Sequence, residues 1–329
     1  MKKRIFIFAL SVLLFQAFRS PLPASAAVRT VITYAGLSEK DSALFVAQDR
    51  GFFRKYDLDA KLVHVRTGAI AISALIAGES QFHTGSATGA TFGAMARGLD
   101  AVFIAGLINK LTGTFVTSPA IKTPSELKGK NIGVQSIGGG IWMFTMLAFD
   151  YWGLDPKKDN IKFRVIGDDS LLAQAVATGA VDGSYLGYTF ASLLERQGFR
   201  VLADMAKLRI PYQGHGVMAR RSFINSSPDI VEKVLRAMAE AVAFILEPAN
   251  KNAVMTTLAK RLRLPRVEDA AESYDNVVSL YDRRIFPNVE GLQNVIRLLG
   301  TANEKIRRLK VEDVVDDRIV KKLEKERVF

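Results

Sequence analysis

The feature that most constrains the fold is an alternation of short apolar runs, typical of β-strands, with longer runs that are typical of helices. Residues 28–34 (VRTVITY) alternate and are β-branched, and residues 42–58 then predict an amphipathic helix that turns near Gly51. The same order repeats several times before residue 110. Strands that alternate with helices at this spacing form βαβ units, so an α/β protein with a mostly parallel sheet is predicted.

After residue 110 the strand–helix pattern begins again, and two of its segments resemble each other. Residues 73–82 (SALIAGESQF) and 173–186 (AQAVATGAVDGSYL) each combine a short Ala-rich helix, a glycine stop and a short strand. Each of them follows an apolar strand, so two similar α/β lobes are predicted. Residues 215–224 (HGVMARRSFI) predict another strand. From Pro228 onward the sequence predicts three or four helices, the first with a Ser cap and an early proline.

The first residues predict export. Lys2, Lys3 and Arg4 precede an apolar run of about 14 residues, which is short of the ~20 that a membrane span needs. Ala24, Ser25 and Ala26 form a cleavage signal, so a signal peptide of residues 1–26 is predicted, with an uncleaved anchor as the alternative. Its removal takes four basic residues and lowers the formal charge from +12 to +8. The chain has no cysteine for lipid attachment, so a soluble periplasmic protein is expected.

The residue inventory argues against an enzyme. Without cysteine, the chain has no thiolate metal site and no cysteine nucleophile. The only histidines, His64, His83 and His215, match no zinc spacing, and no Gly-x-Ser-x-Gly is present. The glycine run 138–140 lacks the Gly-Lys-Ser/Thr ending of a nucleotide phosphate loop. We expect no catalytic residue, no cofactor and no metal. No long basic run is interleaved with aromatics, so no nucleic-acid partner is expected either.

Four motifs resemble one family. They are LFVAQDRGFFRKYDLDAKLV (44–63), ALIAGESQF (74–82), IKTPSELKGKNIGV (121–134) and AVATGAVDGSYL (175–186). In this order they resemble the solute-binding proteins of ABC importers for nitrate, sulfonate, taurine and thiamine-pyrimidine precursors. Asp182 stands in its usual place in the last motif, whereas Gln81 replaces the usual Asp in the second.

The resemblance implies a type II-like periplasmic binding protein fold, with two α/β lobes joined by two crossing strands and C-terminal helices packed on the first lobe. The predicted first lobe comprises residues 27–115 and 220–329, and the second comprises 116–219, with crossings near 113–122 and 212–222. A small-molecule ligand lies in the cleft between the lobes, and lobe closure traps it. The expected partner is the transmembrane permease of the importer, and the protein itself is expected to be a monomer.

Candidate ligand-binding residues lie in the turns that lead from strands into helices, and at one crossing. Glycines and small hydroxyl residues at helix starts offer N–H donors and a positive dipole end, and tyrosines offer flat apolar walls with one hydroxyl. The candidates are Gly36, Leu37, Ser38, Ser42, Ser86, Thr88, Asn109, Ser136, Gly138, Gly139, Gly140, Tyr185, Tyr188 and His215. The turn around Ser86 and the glycine run are predicted to be opposite halves of a clamp.

Alternatives remain open at these positions. A serine or threonine at a helix start is often only a cap, and the tyrosines are also suited to packing between the lobes. Whether Trp142, His83 or Arg66 touches the ligand is open from sequence alone.

Several functions also remain open. The first hypothesis is an importer component for a sulfonate, taurine, nitrate or an aromatic carboxylate. The alternatives are a sensory protein that presents the ligand to a receptor and, more remotely, an enzyme like the thiamine-pyrimidine synthases. The absence of cysteine disfavours that enzyme, since the synthases that share this fold use a Cys-rich site.

Overall fold

The computed structural model describes residues 27–35 and 38–329. The predicted signal peptide and the candidate residues Gly36 and Leu37 lie outside the described residues. The strands are β1 Val28–Ala35, β2 Leu58–Val65, β3 Phe82–Gly85, β4 Ala101–Lys110, β5 Thr114–Thr117, β6 Asn131–Val134, β7 Lys162–Val165, β8 Gly183–Leu186, β9 Arg200–Asp204 and β10 Pro211–Arg220.

Helices connect these strands and form nearly all of the C-terminal region. The α-helices are α1 Ser42–Asp49, α2 Phe52–Lys55, α3 Gly68–Ala77, α4 Gly89–Met95, α5 Gly140–Tyr151, α6 Asp169–Ala177, α7 Tyr188–Arg196, α8 Arg221–Ser226, α9 Pro228–Leu246, α10 Lys251–Leu262, α11 Ala271–Leu280, α12 Val289–Gly300, α13 Glu304–Arg307, α14 Val311–Val314 and α15 Arg318–Lys325. Short 3₁₀ helices span Glu39–Asp41, Pro124–Leu127, Met205–Lys207, Pro248–Asn250 and Glu268–Ala270.

The strands form two mixed sheets of five strands each, in the orders β2-β1-β3-β10-β4 and β7-β6-β8-β5-β9. The first three strands of each sheet are parallel, and the fourth (β10 or β5) runs antiparallel to its neighbours. The predicted two-lobe α/β fold is therefore confirmed, and the two lobes share one strand arrangement. In both sheets the carboxyl ends of the parallel strands lead into helix starts, where such sheets bind ligands.

The chain passes between the two sheets twice, through residues 111–113 and again through the short segment that precedes β10. β10 pairs with β3 and β4 and so belongs to the first sheet, although residues 211–219 had been predicted to lie in the second lobe. The pairing between β10 and β4 places residues 211–219 in the first sheet, because β10, on which the chain returns to this sheet, is buried beside β4, from which the chain leaves it.

The C-terminal helices cover the first lobe. α9 packs against α1 and α2, and α15 packs against α9 and β4. Their apolar faces complete a buried cluster around the first sheet that includes Phe45, Leu235 and Leu323. A second cluster runs through the other lobe and continues onto α12, which lies against β10. Apolar packing therefore continues from one lobe to the other beside the crossings.

Two local predictions were wrong, and one strand was not predicted. The strand predicted over residues 215–224 ends at Arg220, and α8 follows, because Asp100 accepts hydrogen bonds from the N–H groups of Arg221 and Ser222 at 2.9 Å each. The edge strand β9 was not predicted. From Pro228 onward the structure contains seven α-helices rather than three or four, since turns break the C-terminal pattern repeatedly.

Candidate functional site

Two glycine-containing turns meet where the lobes face each other. The N–H of Ala90, at the start of α4 in the first lobe, donates to the carbonyl of Gly138 in the second lobe at 3.3 Å. Gly138 lies just before α5 and has φ +77°. A Cβ atom on Gly89 would lie only 3.0 Å from that carbonyl oxygen, so a side chain at residue 89 would require the two backbones to move slightly apart. The structure thus brings the two predicted clamp halves into direct contact.

Lys40 extends from the first lobe to the second at the same cleft. It belongs to the 3₁₀ helix Glu39–Asp41, which follows β1. Its ammonium nitrogen lies 3.3 Å from the Tyr185 hydroxyl, 4.9 Å from the centre of the Phe144 ring and 5.7 Å from the centre of the Tyr185 ring. An ammonium over aromatic faces is held by the negative potential of the rings. Lys40 therefore joins a charge on one lobe to an aromatic wall on the other.

The aromatic wall is rigidly packed. Phe144 on α5 and Tyr185 on β8 are both buried, and their ring centres lie 4.8 Å apart. Tyr212 of β10 meets Phe144 edge-on at 5.3 Å and donates its hydroxyl to the carbonyl of Ala87 at 2.7 Å. Tyr212, which belongs to the first sheet, therefore packs Phe144 of the second lobe against the turn before α4, and the rings have little freedom to move.

Two carboxyl groups accompany Lys40. Burial raises the pKa of Glu39 and of Asp169. Burial lowers the pKa of Lys40, but Tyr185 and the charges of Glu39 and Asp169 outweigh it, so its pKa is raised. Asp169 also accepts the N–H of Gly187 at 2.8 Å, which places a carboxylate of the protein at the start of α7. The cleft thus holds a half-buried cluster of mixed charge in which Lys40 stays protonated.

Three of the candidate hydroxyl groups in the first lobe make local bonds. The Thr88 hydroxyl caps α4 by accepting the N–H of Thr91, at 3.3 Å. The hydroxyls of Ser42 and Ser86 donate to the carbonyls of Glu39 and Gly214. Ser38 is half-buried beside Glu39 and makes no capping hydrogen bond. The hydroxyl of Thr88 therefore acts as a helix cap, the alternative to ligand binding. The hydroxyl of Ser38 makes no such cap and stays a candidate for ligand binding.

Asn109 and His215 lie where β4 and β10 run side by side. Asn109 donates to the carbonyl of Phe286 at 3.1 Å and accepts from Gln213 at 3.1 Å. His215 is buried, with Nε2 at 3.4 Å from the carboxylate of Asp41. These side chains support the turn that carries Lys40 and the crossing beside it.

The remaining candidates lie on the second lobe. Ser136 is exposed, and a Cβ on Gly139 would collide with the Ser136 hydroxyl, so that glycine serves the turn itself. Gly140 is the first residue of α5. Tyr188 begins α7 and donates its hydroxyl to Asp204 at 3.2 Å, and burial raises its pKa. Of this group, Gly138 and Tyr185 make contacts with the first lobe.

The three side chains left open by the sequence have roles away from the Lys40 cluster. Trp142 packs against Phe163, with ring centres 6.3 Å apart. His83 is buried, with Nδ1 at 3.1 Å from the carbonyl of Thr33, and burial lowers its pKa to about 4. Arg66 is exposed at the end of β2.

Sequence reasoning missed Glu39, Lys40, Phe144 and Asp169. A signal for two of them was present, since Glu39 and Lys40 stand in the turn directly after the first strand, where an α/β lobe binds its ligand. Phe144 looks like any core residue of a helix, and only the approach of the lobes makes it part of the cleft. In the part of the chain that the structure describes, no group of three or more His, Asp or Glu side chains is arranged to hold a metal ion.

Comparison with known sequences identifies the family. A sequence model described as NMT1/THI5 like matches residues 39–251, which is more than half of the chain. The chain belongs to the NMT1/THI5-like family. This confirms the resemblance stated from the four motifs. No curated protein sequence matches the chain. Among the described residues, no helix combines the length and the apolar character needed to cross a membrane.

Several solved structures have the same fold as this protein. A protein from Bordetella bronchiseptica RB50 superposes with a TM-score of 0.76 at 17% identity, covering 91% of this chain and 98% of that one. The alkanesulfonate-binding protein SsuA from Xanthomonas axonopodis pv. citri, bound to MOPS, gives 0.70 at 19% identity, with 89% and 100% covered. The periplasmic nitrate-binding protein NrtA from Synechocystis PCC 6803 gives 0.71 at 15% identity, with 91% and 89% covered. At these identities the likeness establishes the periplasmic binding protein fold.

Proposed function

We propose that this protein is the periplasmic solute-binding component of an ABC importer, which encloses a small organic solute between its lobes and delivers it to a membrane permease. The observation that carries the proposal is the meeting of the two helix-start turns, where Ala90 of one lobe bonds Gly138 of the other. Two sheets with the same strand arrangement face each other there with their ligand-binding ends. Such an arrangement suits a hinge that closes on a ligand and performs no chemistry.

We retain the predicted ligand class of sulfonates, taurine, nitrate and aromatic carboxylates. The names of two structural neighbours, an alkanesulfonate-binding and a nitrate-binding protein, support it. The aromatic wall of Phe144 and Tyr185 favours an organic solute over a bare inorganic anion, because rings offer apolar area that nitrate does not use.

We also propose a refined division into lobes. Sheet membership favours a first lobe of residues 27–111 with 211–329 and a second lobe of 112–210, because β10 hydrogen-bonds to β3 and β4. The leader predicted over residues 1–26 supports export to the periplasm, where a binding protein meets its permease. We expect the exported protein to act as a monomer.

A thermal-shift screen of the protein without residues 1–26 tests the proposal. The set comprises alkanesulfonates, taurine, isethionate, nitrate, bicarbonate, pyrimidines and aromatic carboxylates. A bound solute at about 100 times its Kd should raise the Tm by roughly 5 °C. If no member of the set raises the Tm, the proposed ligand class is wrong. If a solute is bound but turned over by the protein, the binding-protein role is wrong.

A further inference from the structure

The surroundings of the Lys40 ammonium are those of a binding site for an organic cation. The second lobe contributes two aromatic rings and one hydroxyl that contact the ammonium, and Asp169 acts on it through its charge, whereas Lys40 itself belongs to the first lobe. Protonated amines are recognised in proteins by this combination of aromatic faces and a carboxylate. Lys40 is therefore bound across the cleft much as an amine-bearing ligand would be.

The charge balance of the cluster favours a cation over an anion. Glu39 and Asp169 both interact with Lys40, so the three charged side chains sum to −1 when all are ionised. Burial raises the pKa of each carboxyl group, which means that the single ammonium does not fully offset the desolvation of two carboxylates. The two carboxylates would repel an added anion, whereas they would attract a cation that takes the place of the Lys40 ammonium.

The second-lobe surface is built independently of Lys40. Tyr185 is only 2% exposed and its hydroxyl also lies 3.4 Å from that of Thr112. The Phe144 ring packs against the Tyr185 ring at an angle of 56°, and Asp169 accepts the N–H of Gly187. The surface therefore keeps its shape when the lysine side chain leaves.

The backbone of Lys40 is anchored, so the side chain can leave by rotation alone. Its carbonyl accepts the Tyr281 hydroxyl at 2.6 Å, and the same hydroxyl accepts the N–H of Ala43 at 3.0 Å. These bonds hold the turn on the first lobe. The flexible four-carbon stem is the part that reaches the second lobe.

We propose that Phe144, Tyr185 and Asp169 form an ammonium subsite on the second lobe, which Lys40 occupies until a solute that carries a protonated amine takes its place. The assignment of the solute rests on the proposed function, and it narrows the ligand class to amine-bearing molecules. Within the predicted class, an aminosulfonate such as taurine fits the subsite and an alkanesulfonate does not.

Chemical rescue of Lys40→Ala tests the subsite without knowledge of the natural solute. The substitution removes the atoms of an n-propylammonium ion, so we compare the Tm in n-propylammonium chloride with that in NaCl at equal ionic strength. The amine should raise the Tm of Lys40→Ala by about 3 °C and leave the wild type unchanged. Rescue should vanish in Lys40→Ala/Asp169→Asn. If Lys40→Ala does not fold in NaCl, recovery of its circular dichroism in the amine is the readout.

Lys207→Ala is the matched control, because Lys207 also pairs with an aspartate, Asp204, but is exposed outside the subsite. Equal responses of Lys207→Ala and Lys40→Ala to the amine, or no response of either, would overturn the subsite. Rescue of Lys40→Ala by the amine, with no Tm increase from any solute in the screen, would keep the subsite and show that the proposed ligand class is wrong. Binding of isethionate at least as tight as that of taurine would keep solute binding and overturn the amine assignment.

Discussion

The two walls of the cleft have the same strand arrangement but offer a ligand different chemistry. The first lobe presents a charged turn, Glu39–Asp41, whose lysine reaches outward on a flexible stem. The second lobe presents the packed rings of Phe144 and Tyr185, with the carboxylate of Asp169 beside them. The difference teaches that two lobes with similar backbones can contribute differently to binding. The first lobe contributes a charge on a flexible side chain, and the second contributes a rigidly packed surface.

The largest expected effect is a loss of stability, which should differ between substitutions in the packed wall of the second lobe and in the charged turn of the first. Phe144→Ala should lower the free energy of unfolding by about 3–5 kcal/mol, because it leaves a cavity between Tyr185 and Tyr212. Lys40→Met should cost less, about 1–2 kcal/mol, since it removes two cation–π contacts and the hydrogen bond to Tyr185 but keeps the apolar stem. Urea denaturation of both variants measures the contrast. Equal losses would contradict the division between the walls.

An effect of intermediate size is expected from His83 in the first sheet, which should make the free energy of unfolding depend on pH. Burial lowers the pKa of His83 to about 4, so the folded state resists protonation while the unfolded chain takes up a proton near pH 6.5. Stability is therefore retained above pH 6.5 and falls by about 3 kcal/mol on going from pH 6.5 to 4. Glu39 and Asp169, whose pKa values are raised, act in the opposite direction.

The variant His83→Gln isolates the histidine contribution, because the carboxyl groups contribute equally to both proteins. Urea denaturation at several pH values should show a shallower loss of stability for His83→Gln than for the wild type between pH 6.5 and 4. His64→Gln is the control, because His64 is exposed on β2, which β1 separates from the strand of His83, and this variant should retain the wild-type slope. Parallel curves for the wild type and His83→Gln would show that His83 is not the cause.

A smaller effect should appear where the two walls touch. Gly89→Val places a side chain against the carbonyl of Gly138, which should disfavour the closed arrangement by about 1–3 kcal/mol and weaken solute binding about 5–150-fold. Small-angle scattering should show a larger radius of gyration for this variant. Gly140→Val, where a Cβ meets nothing within 4 Å, is the control. An unchanged radius and affinity in Gly89→Val would exclude this contact from closure.

The fold could be predicted to a large extent because its signals are local. The strand–helix alternation and the early proline of α9 act through neighbouring residues, and both appear in the structure. β9 escaped prediction because it is a half-buried edge strand without clear alternation. α8 resembled a strand because its start is fixed by Asp100, a residue distant in sequence.

The candidate site was predictable only as a set of turns. Gly138 and the turn before α4 were found because helix starts have a recognisable composition. Lys40 and Phe144 were not, since their pairing depends on how two lobes approach each other, which no local pattern records. The hydroxyl of Thr88 caps α4, and the sequence could not separate this role from ligand binding because a helix cap has the same sequence signature as a ligand donor.

The central claim is that the two walls close on a solute, and a distance between the lobes tests it most directly. The chain has no cysteine, so Ser73→Cys and Thr178→Cys introduce two unique spin labels at exposed positions, one on each lobe. Pulsed electron paramagnetic resonance is recorded with and without the solute that raises the Tm most. A shorter and narrower distance distribution with solute is expected, and it should be absent in Gly89→Val. An unchanged distribution in the wild type at saturating solute would contradict the account.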